Sequence, residues 1–245
     1  MPPGAIGSQQ LLRGGPLPGY FQPVEVRVPE GATVSPAVDG VFAEPEVEPL
    51  KVGFLIGAVY RLRVTNIPLQ EGLEVYPTVE VIDRLYPPLR QEHKFPIPIE
   101  ITQEDLELAM SGRFVTRVIY LEDPEAALPI VENPEEQTVY DIAHAENPLE
   151  VADRLGRPMA ILRLGGRVPD ATGPDAAFLY GSPPFLKYFK GDEQMIGVPC
   201  DPLSIGQNDH SRGLPLISKK HLVRGQNESK SDSSKRRRFL FWGAK

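Results

Sequence analysis

The chain has 245 residues, enough for one domain of ordinary size with substantial ends or for two small domains. Its 27 Pro and 22 Gly together make one residue in five, which excludes a helical bundle and favours strands, turns and extended ends. The net charge of −7 divides unevenly: residues 1–184 hold 14 Lys and Arg against 27 Asp and Glu, whereas residues 185–245 hold 12 against 6, an acidic body with a basic tail that reads as an interaction tail or simply as one kept soluble by its charge.

Cys200 is the single cysteine, so an intrachain disulfide is excluded while the compartment is left open. Residues 1–23 read as an extended lead-in, because Gly14-Gly15-Pro16-Leu17-Pro18-Gly19 sustains neither a helix nor a ladder. No apolar run in the opening residues has the length of a signal peptide or a membrane span, so neither is expected in the residues given.

Val24, Val26 and Val28 alternate with Glu25 and Arg27 up to Pro29, a short strand expected at a sheet edge. Residues 31–50 are small, acidic and proline-punctuated, with room for one broken strand through Val34, Val38, Val41 and Phe42. Phe54, Leu55 and Ile56 lead through Gly57 into the clearest strand: Tyr60, Leu62 and Val64 on the core face, Arg61, Arg63 and Thr65 on the other. Leu73, Val75, Val79 and Val81 share the next parity, and Pro77 among them predicts a bulge or an edge. Phe95, Ile97, Ile99 and Ile101 alternate with Pro96, Pro98 and Glu100, so that strand pairs on one side at most.

Thr102 as N-cap with Asp105 at the capping-box place predicts a short helix ending at Ser111-Gly112. Residues 113–121 carry apolar side chains on both parities, the mark of a central, doubly covered strand. Thr138 to Ile142 reads as a brief strand. Asn147 as cap with Pro148 behind it opens a second helix that Gly156 ends, and Met159 to Leu164 gives the last strand. No period survives beyond Val168, so residues 169–245 are expected to be a largely disordered basic tail.

The order strand, capped helix, glycine, long strand over residues 95–121 resembles the E to F corner of immunoglobulin-like and fibronectin-like sandwiches, without their Cys pair or core Trp. The expected fold is mainly β: an immunoglobulin-like antiparallel β-sandwich over residues 24–168, with two short helices, the second inserted near 147–155, and long disordered termini. The whole chain also resembles uncharacterised bacterial envelope-associated proteins and matches no characterised family. That resemblance implies the cell envelope or periplasm rather than the cytoplasm, and an export signal upstream of Met1.

Three classes of function compete. No nucleophile elbow, phosphate loop or zinc spacing occurs; Asp141, His144 and Glu146 are close in sequence but match no metal pattern, and no cofactor is expected. Arg61, Arg63, Arg113 and Arg117 form a candidate strip for an anion, with pairing to the abundant acids as the simpler reading. The favoured reading is a non-catalytic interaction or structural module binding a protein partner through a sheet edge or loops. Its candidate residues are the basic cluster Arg236, Arg237 and Arg238 and the aromatic residues Phe239, Phe241 and Trp242, a segment suited to an anionic surface or an acidic partner, the chain's own body included. Nucleic acid is the less favoured partner. Carbohydrate binding through the ring faces of Tyr76, Tyr86 and Tyr60 is an alternative, as is an acid/base hydrolase using converging carboxylates.

Overall fold

The computed structural model describes residues 2–16, 18–47, 49–123, 139–143, 146–188 and 239–244, the last six as backbone. In chain order the strands are β1 Phe21–Arg27, β2 Thr33–Val38, β3 Val41–Phe42, β4 Leu50–Leu55, β5 Val59–Thr65, β6 Thr78–Val81, β7 Ile97–Glu100, β8 Val115–Glu122, β9 Val139–Ile142, β10 Gly156–Leu164, β11 Phe185–Lys187 and β12 Phe239–Ala244. The helices are α1 Ala5–Leu12, α2 Gln103–Met110 and α3 Pro148–Leu155. One sheet has the order β11-β4-β1-β7, and the other β3-β2-β5-β6-β10-β8-β12-β9.

The two sheets share one apolar interior, as the period-two pattern requires. Val24, Val26, Val52 and Phe54 from the smaller sheet meet Tyr60, Leu62, Val64, Val79, Val81 and Leu162 from the larger. The core faces predicted for β5, β6 and β7 stand within the strands, with Leu62, Val79, Ile97 and Ile99 fully buried, whereas Leu73 and Phe95, on the same predicted faces but ahead of β6 and β7, are exposed because the strands begin after them. Both predicted caps stand as well. Thr102 and Asp105 exchange the reciprocal bonds of a capping box, and Asn147 Oδ1 accepts the Leu149 amide with Pro148 at the first helical position.

β7 is the edge strand its prolines demand. Ile101 donates its amide to the Arg27 carbonyl at 2.9 Å, and alternation turns the amides of Ile99 and Ile97 the same way. The nitrogens facing outward are therefore those of Pro96, Pro98 and Glu100, and the two prolines carry no hydrogen.

Several expectations need correction. β1 is not an edge: it lies between β4 and β7, because pairing with β7 begins at Val24, one residue past Pro23. The sheets are not wholly antiparallel, since β1 runs parallel to β7 and β9 parallel to β12. Residues 31–50 hold a hairpin, β2 to β3, turned by Asp39 and Gly40 at φ 48 and 81, the left-handed pair that a two-residue hairpin turn uses.

The lead-in contains α1 because its glycine-proline run follows the helix instead of interrupting it. That helix crosses the β4–β5 turn so closely that a Cβ on Gly7 would lie 2.5 Å from the Gly57 Cα, a contact only glycine permits. Within the span expected to be patternless, residues 175–188 form a strap. Leu179 is fully buried, and β11 pairs antiparallel with β4.

The outer face of the larger sheet is fastened by charge. Glu80, fully buried there, accepts the Gly4 and Gly7 amides at 3.0 and 2.9 Å, and Arg163 meets the same carboxylate at 2.9 Å. Arg61 lies with its guanidinium 4.5 Å from the Phe178 ring centre and 5.0 Å from that of Tyr180, and donates to the Phe178 and Tyr76 carbonyls. The strap is thereby held to the sheet, and Tyr60 adds a bond from its hydroxyl to the Pro184 carbonyl at 2.7 Å.

Candidate functional site

β8 is the strand on which a candidate site can be built. Its sequence alternates cleanly, so Ile119 faces the shared interior while Val118 and Tyr120 face the opposite side. α3 covers that opposite side: Val151 and Ala152 pack in one cluster with Val118, Tyr120, Ile142 and Ile161. From the other direction α2 anchors the strand, because both Nε and Nη2 of Arg117 reach Asp105 Oδ1, at 3.0 and 2.9 Å. Asp105 Oδ2 accepts the Thr102 amide and hydroxyl at the same time, so this buried carboxylate is used on both oxygens.

With both faces covered, what β8 still offers is its backbone. β10 takes one side in an antiparallel ladder with a bulge between Pro158 and Ala160. β12, more than a hundred residues later in the chain, takes the other. It is antiparallel, with Phe239 opposite Leu121, Phe241 opposite Ile119, Trp242 opposite Val118 and Ala244 opposite Thr116. β9 then joins the far side of β12 in parallel and has no other strand partner among the described residues. The chemistry of such an edge is a row of amide donors and carbonyl acceptors that takes up an extended peptide, with register set by side-chain parity.

The residues picked out by sequence are distributed as follows. Phe239, Phe241 and Trp242 all belong to β12. Arg236, Arg237 and Arg238 lie outside the described residues, as do His144 and Cys200. Tyr76 is buried, with its ring against Phe42 and Phe178 and its hydroxyl bonded to the Glu74 carboxylate. Burial and then Glu74 push its pKa up to about 12. Tyr60 is buried and stacked on Phe54 at 3.8 Å between ring centres, and burial raises its pKa further still. Tyr86 is 56 % exposed, but Arg84 stands 4.4 Å from its ring centre and Arg157 5.5 Å. The three tyrosines thus form no common platform.

The arginine strip separates into different roles. Arg117 pairs with Asp105, as the simpler reading held. Arg61 instead spends its donors on carbonyls; burial holds its pKa below the ordinary value, with Tyr180 acting against this and Arg167 adding to it. Arg63 lies over the Phe42 ring at 5.2 Å. Among the described residues no group of three His, Cys, Asp or Glu is placed to hold a metal, and no helix is long and apolar enough to cross a membrane.

Sequence reasoning missed Glu80 and the strap. The only signal for Glu80 was an acid on the polar parity of β6, which reads as solvent-facing. The strap showed as the isolated cluster Phe178-Leu179-Tyr180, with no period to place it. No protein-family model, curated protein or solved structure matches the chain.

Proposed function

We propose that this chain is a non-catalytic interaction module that takes up an extended polypeptide by strand addition at the β8 edge of its larger sheet. The observation that carries the reading is the pairing of β12 with β8: a segment remote in sequence fills this edge through six matched residue pairs. The fate of the buried charges supports it. Glu80, Asp105 and Glu25 are each committed to an arginine or lysine, and each fastens one element to another. The β7 edge suits such binding poorly, because its outward nitrogens at Pro96 and Pro98 donate nothing.

An immunoglobulin-like identity for the fold is part of the same reading. β7 and β8 belong to different sheets and α2 lies between them in sequence, as at an E to F corner. A place in the bacterial envelope enters only through the resemblance to envelope-associated proteins.

Hydrogen–deuterium exchange on the full-length chain tests the reading. The amides of Val118 and Tyr120, which alternate toward β12, are expected to be protected in the wild type and to exchange at least tenfold faster in Leu240→Pro, while those of β5 and β10 keep their protection. Equal protection of Val118 and Tyr120 in both proteins would remove strand addition as the mode of binding.

A further inference from the structure

Two guanidinium groups meet on one exposed ring just beyond β6. Arg84 lies 4.4 Å from the Tyr86 ring centre and Arg157 5.5 Å from it, and Arg84 is also 4.6 Å from the ring centre of Tyr20. The backbone that carries Arg84 is held at three points. Asp83 Oδ1 accepts its amide at 2.7 Å, its carbonyl accepts from Arg157 Nη2 at 3.2 Å, and the buried Gln22 side chain accepts the next amide, that of Leu85, at 2.7 Å. Two rings and an anchored backbone thus set a planar fork of donors in place.

What this cluster lacks is an anion. Asp83 is occupied on both oxygens, with Oδ1 on the Arg84 amide and Oδ2 3.4 Å from Arg157 Nε. Glu92, whose charge Tyr20 feels, accepts the Arg90 amide and forms no ion pair among the described residues. Two positive charges therefore face one paired carboxylate. Among the described residues the Arg84 side chain makes no ion pair and no hydrogen bond, and its Nε is buried without a partner, a condition that folded proteins rarely leave uncompensated. Arg63 shares such a buried Nε but lies over the Phe42 ring alone. The cluster is open to solvent, since Tyr86 and the Arg157 side chain are each substantially exposed, the latter by 40 %.

We propose that Arg84 and Arg157 form a binding site for a phosphate group, carried by a monoester or free in solution, with Arg84 as the bidentate fork and Arg157 as the second donor. A flat carboxylate is satisfied by one fork, whereas a tetrahedral anion accepts from two directions, and two guanidiniums converging on one ring supply them. No residue of β8 or β12 takes part, so the site stands apart from the strand-addition reading.

The probes are inorganic phosphate and phenyl phosphate, titrated by calorimetry into the full-length chain at about 0.1 M NaCl, with the thermal midpoint of each protein as a check on its fold. Both should bind saturably, and about tenfold more weakly in Arg84→Gln and in Arg84→Lys, which keeps the charge but not the fork. Arg157→Gln should weaken binding by about threefold or more. Arg167, exposed past the other end of β10, is the control, and Arg167→Gln should bind as wild type does. Acetate should bind about tenfold more weakly than phosphate. Phenyl phosphate binding more tightly than inorganic phosphate would support an ester whose organic group meets the tyrosine rings, and equal affinity would support the free anion.

Wild-type affinity in Arg84→Lys would overturn the fork. An equal loss in Arg167→Gln would reduce the effect to net charge and overturn the site, and acetate matching phosphate would overturn the choice of a tetrahedral anion. Absence of saturation in the wild type would overturn the proposal outright. If the midpoint shows that Arg84→Gln does not fold, the Lys variant and the acetate comparison still decide.

Discussion

The two faces of the eight-stranded sheet are held by different physics. On the inner face, Tyr60, Leu62, Val64, Val79, Val81 and Leu162 meet the smaller sheet by shape and apolar area, an attraction that needs no particular partner. Around β5 and β6 on the outer face, charged groups help fasten the peripheral pieces: Glu80 takes the α1 amides, and Arg61 holds the strap in addition to the β11–β4 ladder. The difference teaches that a non-directional interior tolerates exchange of its parts, whereas a directional fastening fails when one partner is removed.

The sharpest way to break this contrast is to compare Glu80→Ala with Leu62→Ala. Loss of Glu80 leaves Arg163 and the Gly4 and Gly7 amides without their shared acceptor, and removing one partner of a buried pair costs about 3–5 kcal/mol. Leu62→Ala is expected to cost about 2–5 kcal/mol. Urea denaturation measures both, and a Glu80→Ala effect under about 1 kcal/mol would show that the outer face is not held by charge. Joint replacement by Glu80→Leu and Arg163→Met should recover only the part due to the unpaired guanidinium, since an ion pair exchanged for apolar residues is often close to neutral while the Gly4 and Gly7 amides still lack an acceptor.

A smaller effect is expected at the strap. Tyr60→Phe removes the hydroxyl that donates to Pro184 and accepts the Leu55 amide, at about 1–3 kcal/mol for the groups left unsatisfied. Proteolysis after Phe178 or Tyr180 should quicken correspondingly; an unchanged cleavage rate would mean that the strap is held elsewhere. Thr102→Ala, which breaks the capping box of α2, should cost about 1 kcal/mol by the same denaturation measurement.

The smallest effect concerns acid. Burial pushes the Glu25 carboxyl up, but bonds to Arg27 and Lys51 outweigh it and hold the pKa below the usual value of 4.5. A carboxyl lowered by folding stabilises above its unfolded value, and that contribution disappears as pH falls through the folded one. Stability measured from pH 6 downward should therefore decline below about pH 4.5 less steeply in Glu25→Gln than in wild type. Identical slopes would remove Glu25 as a contributor.

The same contrast decides how much was legible in the sequence. Parity placed Tyr60, Leu62 and Val64 inside because the pleat alone determines which side a residue faces, and Thr102 and Asn147 announced their helices because a cap acts within three residues. The outer fastenings join residues far apart: Glu80 reaches Gly4 across 76 positions and Arg163 across 83. No local pattern records such a pair. For the candidate site, apolar residues on both parities of β8 marked it as central, and Phe239, Phe241 and Trp242 stood out by composition. That the two meet was not readable, because a register across more than a hundred residues leaves no trace in either segment alone.

The prolines of β7 also bear on the life of the molecule in a crowded compartment. One flank of the smaller sheet offers a neighbouring copy no donor at Pro96 or Pro98, which opposes stacking of one molecule on the next into a fibre along that direction.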